Sequence, residues 1–465
     1  MSTLIRLRSG ATLDRTIDDY DRSRPAIRRR RLRSVCYAPF LSMDFDATGA
    51  IRLCNHSHSE VAQMGPATSV IDVWRGAVYQ RYREEMRAYV LDEHNCKHCV
   101  RQCAAGPGSH VFATEQFDGS ANDDPTPAYP KRLIFRLNST CNLACVMCDG
   151  LTSSRIRRER DRHPLMPSAY GERFFQEMEE ILPHVEHIEF YGGEPFLVKE
   201  HVRIFEILAK VGARCTIYVN TNAVSLHPRA KQYLETLNFK TIAVSMDAVH
   251  PELHAEVRGG LRSDLFYDNV DYLLSLRDRR GLAVMLNVTE HRKNWFELPE
   301  VFRFAERKGV YLHINTCIHP HNVTLYTLPT AQCRYVLDYF ERQRGALLDE
   351  YPRFSNLANF DFLISLVRAE IASRGPDWRP VMTNLNVATD GLLAAPRPGV
   401  RPFHTPDAVA GEVERIRRML DPDTAARLLR DMLGRLRALA HVDEWRAVAR
   451  TTERAIGARH QSASA

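Results

Sequence analysis

RLIFRLNSTCNLACVMC, residues 132–148, decides the fold. It opens with an apolar run, RLIFRLN, of the length and composition of a strand buried on both faces. It passes at once into Cys141, Cys145 and Cys148, spaced Cx3Cx2C. From Lys131 to about Ile318 the same alternation continues. Apolar strand-like runs (RLIFRLN, VEHIEFYGG, CTIYVNTN, TIAVSMDA, AVMLNVTE, VYLHINT) are separated by amphipathic stretches (FFQEMEEIL, VRIFEILAKVG, AKQYLETL, YDNVDYLLSL, LPEVFRFAERKG), which makes six strands and five helices. Strands alternating with helices predict parallel βαβ units. Six units are too few for a closed eight-stranded barrel, so the fold class expected is α/β, a partial (β/α)6 TIM-like barrel or a doubly wound sheet.

In such folds ligands bind at the carboxyl ends of the strands, and the cysteines occupy the first of those loops. Three thiolates can hold three irons of a 4Fe-4S cluster and leave the fourth iron open to another ligand. By spacing alone, a zinc site completed by a fourth ligand from elsewhere competes with this reading. The second strand ends in EFYGGEPF, which supplies Gly192, Gly193, Glu194 and Pro195. Glycines there let a ligand approach the backbone, and a carboxylate accepts hydrogen bonds from an ammonium group.

With Cx3Cx2C followed one βα unit later by GGEP, the segment resembles the radical S-adenosylmethionine (SAM) superfamily. The resemblance implies that the open iron is chelated by SAM, which is cleaved reductively to methionine and a 5'-deoxyadenosyl radical that abstracts hydrogen from substrate. It further implies that Glu194 binds the SAM ammonium and that the backbone around Met147 lines the adenine pocket. Asn222, Ser245 and Asp247 resemble the polar residues that meet the ribose, and Arg258 in EVRGG resembles the one that pairs with the SAM carboxylate. An electron donor such as flavodoxin or ferredoxin is implied as a partner.

A second cysteine group precedes this segment: Cys36, Cys54, Cys96, Cys99 and Cys103. The pieces CYAPF, DATGAIRLC, SVIDVWRGAVYQRYREEM and CKHC resemble, in order, the auxiliary-cluster domain called SPASM or, when shortened, twitch, in the group that carries it N-terminal to the barrel. A shortened domain implies one further 4Fe-4S cluster on four thiolates, for which Cys36, Cys54, Cys96 and Cys99 fit the spacing. Cys103 then replaces one of the four, serves a degenerate second site or lies free. A zinc-stabilised module is the competing reading. His56, His58 and His98 are expected at the surface. An auxiliary cluster can accept an electron from a substrate radical, which gives oxidation or bond formation; it can also bind substrate or relay electrons.

Composition sets the frame for these readings. At 465 residues, 44% hydrophobic and 26% charged, the chain is long enough for two or three globular domains. The N-terminus lacks the apolar run of a secretory signal and no later stretch has the length of a membrane span, so a cytoplasmic protein without a membrane partner is expected. Eight of eleven cysteines lie between Cys36 and Cys148, a clustering that speaks for metal rather than disulfides in a reducing compartment. Cys215 and Cys333 read as packing residues.

The expected organisation is a basic flexible arm over 1–34, an auxiliary-cluster domain over 35–110 with one helical stretch, DVWRGAVYQRYREEMRAYVL, a linker over 111–130, the partial barrel over 131–318 and a mainly helical region over 319–465 ending in a disordered tail. The net charge is +6, much of it in RSRPAIRRRRLRS, residues 22–34. No aromatic residues interleave those arginines, so a solvated arm is favoured over a nucleic-acid surface. The substrate expected is a small molecule, a sugar or a peptide. Other readings are a radical epimerase, for which the thiol of Cys317 at the end of the sixth strand is the candidate hydrogen donor, an RNA-modifying enzyme, and a non-catalytic iron-sulfur or zinc scaffold. His313, Asn315, His319 and His321 follow or end that strand and are candidates to face substrate.

Overall fold

The computed structural model describes residues 4–16, 34–97, 99–100, 124–317, 320 and 322–374. Residues 22–33 of the arginine run, His98, Cys103, most of the linker, His319, His321 and everything after Arg374 lie outside the described residues.

In chain order the elements begin with β1 (Leu4–Leu7), β2 (Thr12–Thr16), α1 (Ala38–Leu41), β3 (Ser42–Phe45), β4 (Ala50–Arg52), β5 (Ala62–Gln63), α2 (Val70–Arg75), α3 (Ala77–Arg87) and β6 (Val90–Leu91). They continue with β7 (Arg132–Phe135), β8 (Ala144–Cys145), α4 (Ser154–Glu159), α5 (Glu172–Ile181), β9 (His187–Phe190), α6 (Lys199–Val211), β10 (Thr216–Thr221), α7 (Pro228–Thr236) and β11 (Phe239–Ser245). Then follow α8 (Pro251–Val257), β12 (Arg258–Gly259), α9 (Ser263–Arg280), β13 (Ala283–Glu290), α10 (Leu298–Lys308), β14 (Tyr311–Thr316), α11 (Thr330–Glu350) and α12 (Leu357–Ser373). All six strands and five helices expected between 131 and 318 are present, and the region after 319 is helical as far as it is described. The described chain divides into two compact units: 1–143 with 149–243 and 268–283, and 144–148 with 244–267 and 284 onward.

The first unit is built on a sheet in the order β10-β9-β7-β3-β4-β5. The pairs β10/β9, β7/β9 and β3/β7 are parallel, and β3/β4 and β4/β5 are antiparallel. Strand β3 comes from the N-terminal cysteine segment and adds directly to the edge of β7, so the two stretches share one sheet. Phe45, Phe135 and Phe190 stand opposite one another on these three strands, with ring centroids 5.7 and 5.6 Å apart, and Phe174 of α5 packs edge-on against Phe45 and Phe135. Burying each ring stabilises the sheet by about 1.5–3 kcal/mol, and each favourable ring pair adds about 0.5–1.5 kcal/mol.

Two expectations for the N-terminal segment need correction. The flexible arm of 1–34 is in part ordered: β1 and β2 form an antiparallel hairpin, and β1 pairs in parallel with β6. The reason is local, since in LIRLRSGATL a turn at Arg8–Gly10 joins strands that bury Ile5 and Leu13. The single helix expected over DVWRGAVYQRYREEMRAYVL is two helices and a strand. It breaks at Gly76, where a Cβ would stand 2.8 Å from the carbonyl of Asp72, so an ordinary side chain does not fit that turn. Buried Arg83 ties the pieces together by donating to the carbonyls of Pro39 and Trp74 with its guanidinium 4.4 Å from the Trp74 ring.

In the second unit β13 and β14 pair in parallel, with Glu290 opposite Thr316 at their carboxyl ends. Short strands β8 and β12 pair antiparallel, with Arg258 opposite Cys145. Trp295 is buried and packs edge-on against Tyr335, Tyr339 and Phe340 of α11, which holds that helix to the unit. Among the described residues no helix is long and apolar enough to cross a membrane.

Candidate functional site

The loop after β7 carries the three cysteines of Cx3Cx2C, with Cys141 in the first unit and Cys145 and Cys148 in the second. In the first unit the loop is fastened to the start of α4. The N–H of Cys141 donates to Ser154 Oγ at 3.1 Å, Ser154 N–H donates to the carbonyl of Ser139 at 2.7 Å, and Ser153 Oγ donates to the carbonyl of Leu143 at 2.6 Å. Ser153 also caps α4 by accepting from Ile156 N–H.

The GGEP loop after β9 folds onto the residue that precedes Cys141. Gly192 and Gly193 have positive φ, +70° and +54°, and a Cβ on Gly193 would lie 2.3 Å from the carbonyl oxygen of Thr140. The N–H of Glu194 donates to that same oxygen at 2.8 Å, and Pro195 lies in the turn closed by Leu197 N–H on the carbonyl of Glu194. The Glu194 side chain is fully buried, and its two oxygens accept from Thr221 Oγ1 at 2.7 Å and from the N–H of Asn222 at 2.8 Å. Asn222 Nδ2 in turn donates to Asn142 Oδ1 in the cysteine loop. A carboxylate is an acceptor-only group that bonds strongly to an ammonium group.

In the second unit Arg258 is the centre of the arrangement. Its Nε lies 2.7 Å from Asp247 Oδ2, with both residues buried, and its Nη1 donates to Cys145 Sγ at 3.9 Å. Burial, the largest single influence, works against the charge on Arg258, but Asp247 together with Cys145 and Cys148 outweighs it and the guanidinium is held above its ordinary range. Burial raises the Asp247 carboxyl, an effect that Arg258 opposes. Asp247 also accepts from the N–H of Thr289, so β11 and β13 are tied at their carboxyl ends. Ser245 is buried at the end of β11, and Met147 is half-buried on the turn closed by Cys148 N–H on the carbonyl of Cys145.

Glu290 was not singled out in the sequence, although an acid closing the apolar strand AVMLNVTE was a visible signal. It is fully buried, Tyr326 donates to its Oε1 at 2.7 Å, and Oε2 has no hydrogen-bond partner among the described residues. Burial pushes its carboxyl up to about 8. The backbone N–H of Cys317 also faces it, which places Cys317, itself buried, beside this acid. His313 is half-buried, and burial lowers its pKa; Asn315 donates to Asn287 Oδ1 at 2.7 Å.

The second cysteine group converges within the first unit. Cys36, Cys54, Cys96 and Cys99 all line one cavity, together with Leu53, Met86 and other residues. Cys36 comes from the turn before α1, Cys54 from beyond β4, and Cys96 and Cys99 from the segment after β6. Burial, and after it the closeness of Cys36 and Cys54, drives the Cys96 thiol well above its ordinary range. His56, expected at the surface, lines the same cavity. Among the described residues no three His, Cys, Asp or Glu side chains are disposed to hold one metal ion.

Residues 136–304 match the sequence model of the Radical SAM superfamily. An AdoMet-dependent heme synthase of Methanosarcina barkeri is 25% identical over 182 residues, covering 39% of this chain and 48% of that protein. Mycofactocin maturase MftC of Mycolicibacterium smegmatis is 27% identical over 192 residues, covering 40% of this chain and 44% of that protein. The chain thus spans about half the length of the curated relatives it matches. Among solved structures, Streptococcus suis SuiB aligns with a TM-score of 0.33 at 14% identity over 57% of each chain. The protein anSMEcpe with bound AdoMet aligns with a TM-score of 0.35 at 19% identity, over 47% of this chain and 59% of its own. Over residues 136–304, about a third of its length, this chain is thus similar to the radical SAM superfamily.

Proposed function

We propose that this protein is an enzyme that holds a 4Fe-4S cluster on Cys141, Cys145 and Cys148, binds SAM beside it, and abstracts a hydrogen atom from an organic substrate. The observation that carries the reading is the family match over 136–304, with Cx3Cx2C on the loop after β7 and the GGEP backbone bonded to Thr140. When bound and reduced, the cluster supplies the single electron that cleaves SAM to methionine and a hydrogen-abstracting 5'-deoxyadenosyl radical.

The chain's own residues supply binding and orientation. Glu194 is fixed by Thr221 and Asn222, and an oriented carboxylate suits the SAM ammonium. Arg258 is positioned by Asp247 and presents a guanidinium suited to the SAM carboxylate. Ser245, Asn222 and Asp247 offer polar groups to the ribose, and the turn at Met147 offers backbone to the adenine.

A second 4Fe-4S cluster fits Cys36, Cys54, Cys96 and Cys99. Four thiols from three separate segments around one cavity suit a group of several irons, and a cationic group there offsets the mutual repulsion of thiolates. A cluster with every iron held by protein can take up an electron from a substrate radical, so oxidation or bond formation is the reaction class we favour. The relatives named as a heme synthase and a maturase direct the search to small molecules and peptides.

The test is anaerobic. Reconstituted protein is analysed for iron and sulfide, reduced, given SAM and assayed for 5'-deoxyadenosine beside the Cys141→Ala/Cys145→Ala/Cys148→Ala variant. About eight irons per chain with cleavage that the variant loses is the expected result for two 4Fe-4S groups. No cleavage, with zinc bound instead, overturns the reading.

A further inference from the structure

Directly after Cys148 the chain reads DGLTSSRIRRERDRHPL, residues 149–165, with Arg155, Arg157, Arg158, Arg160 and Arg162 inside eight positions. The stretch belongs wholly to the first unit. Helix α4 is anchored by buried Ile156, while the side chains of Arg158 and Arg160 stand 65% and 49% exposed. Arg162 is exposed too, and makes no ion pair among the described residues. The carboxylates nearby cancel only part of this charge. Glu159 serves both Arg155 and Arg158, Asp161 pairs with Arg160, and Asp149 is spent on the turn it caps through Leu151 and Thr152 N–H. On either side of the arginines lie Leu151 and Leu165, 56% and 57% exposed, two of the few large apolar side chains so placed among the described residues. Leucines standing in water beside arginines make the mixed surface from which protein interfaces are built.

This surface is also joined to the cysteine loop by short bonds. The first turn of α4 meets Cys141 through Ser154 Oγ, the carbonyl of Ser139 through Ser154 N–H, the carbonyl of Leu143 through Ser153, and the carbonyl of Asn142 through Arg155 Nη1 at 3.1 Å. A molecule seated on the exposed side of α4 is therefore one helical turn and one hydrogen bond from the Cys141 peptide.

We propose that Leu151, Arg158, Arg160, Arg162 and Leu165 dock a small acidic protein that carries single electrons, and that its electron enters at Cys141. The proposal rests on the reading of this chain as a radical SAM enzyme, which consumes one electron from outside for each SAM cleaved. One electron leaves the reduced carrier, which is oxidised by one unit, and reduces the iron-sulfur group on Cys141, Cys145 and Cys148. No bond or proton changes hands at the interface. Carboxylates on the carrier meet the arginines and apolar side chains cover the two leucines, so the encounter is fast at low salt and slows as salt screens it.

The experiment uses the full chain with flavodoxin as the probe. Flavodoxin binding is titrated at two salt concentrations, and 5'-deoxyadenosine formation is followed with two reductants: flavodoxin with its NADPH-dependent reductase, and dithionite, which needs no docking surface. In Arg158→Glu/Arg160→Glu/Arg162→Glu, binding and the flavodoxin-driven rate fall by about tenfold or more, the scale of lost electrostatic steering. The dithionite-driven rate holds. The matching triple Lys variant keeps most of both, since it keeps the charge. Unchanged binding and rate in the Glu variant, or an equal loss with both reductants, overturns the proposal. So does loss of binding to an RNA oligomer with flavodoxin binding intact. Wild-type protein that forms no 5'-deoxyadenosine even with dithionite refutes the enzyme reading instead, and the binding titration still decides the surface.

Discussion

The N–H of Glu194 donates to the carbonyl oxygen of Thr140 at 2.8 Å, so the residue that leads into Cys141 and the acid of GGEP are bonded across two strands. Gly193 makes that approach possible, since its φ is +54° and a Cβ would lie 2.3 Å from the same oxygen. Gly193→Ala is therefore expected to lower stability by more than the roughly 1–2 kcal/mol that a left-handed conformation alone costs an alanine. Gly212→Ala, with φ +62° and no neighbour within 4 Å of its Cβ, pays the conformational cost only. Urea unfolding of the two variants side by side checks this, and equal losses would show that the Thr140 contact is not tight.

Arg258 and Asp247 form a buried pair in the second unit, with Thr289 N–H on the carboxylate. Removing one partner strands the other's charge, and Arg258→Ala should cost about 3–5 kcal/mol, the usual range for breaking a buried pair. Asp247→Asn/Arg258→Met removes both charges and should recover a large part of that loss. Denaturant midpoints decide it. A double variant no better than the single one would mean that the pair is not what Arg258→Ala disrupts.

Glu290 gives a pH signature. Burial raises its carboxyl from 4.5 to about 8, so the folded state holds a proton that the unfolded chain releases. Its contribution to stability is fully present below about pH 4.5 and is lost as pH rises through about 8, with a slope near 1.4 kcal/mol per pH unit inside that window. Glu290→Gln cannot ionise and should flatten this part of the profile, so that it gains on the wild type between pH 5 and pH 8. Unfolding free energies at those two values, unchanged in their difference by the substitution, would place the proton elsewhere.

The cavity of Cys36, Cys54, Cys96 and Cys99 predicts a separable metal load. Cys54→Ser/Cys96→Ser should lose about four irons per chain, one 4Fe-4S group, and keep those assigned to Cys141, Cys145 and Cys148. SAM cleavage without substrate should persist. Elemental analysis that finds the lost metal to be zinc would make this site structural.

What the sequence determined by itself was local. Apolar runs of strand length, amphipathic stretches and their turns announced six strands and five helices found between 131 and 318, though not the short elements β8, α4, α8 and β12, because periodicity and punctuation act within a dozen residues and need several residues to register. Cx3Cx2C and GGEP were legible for the same reason, as short strings of residues with a defined chemistry. The hairpin at residues 4–16 and the break at Gly76 were local as well, but their signals, a two-residue alternation and one glycine, were weaker than the charge and helix periodicity around them.

Only the tertiary structure decided partnership and burial. It placed β3 beside β7, brought four cysteines from separate segments to one cavity, and set Glu194 on Thr140. It also closed Glu290 off from water, with Oε2 unpartnered among the described residues. A residue's type fixes whether it can ionise, accept a hydrogen bond or ligate iron. Which of these it does depends on the neighbours and the dielectric that long-range packing supplies, and no window of sequence contains those.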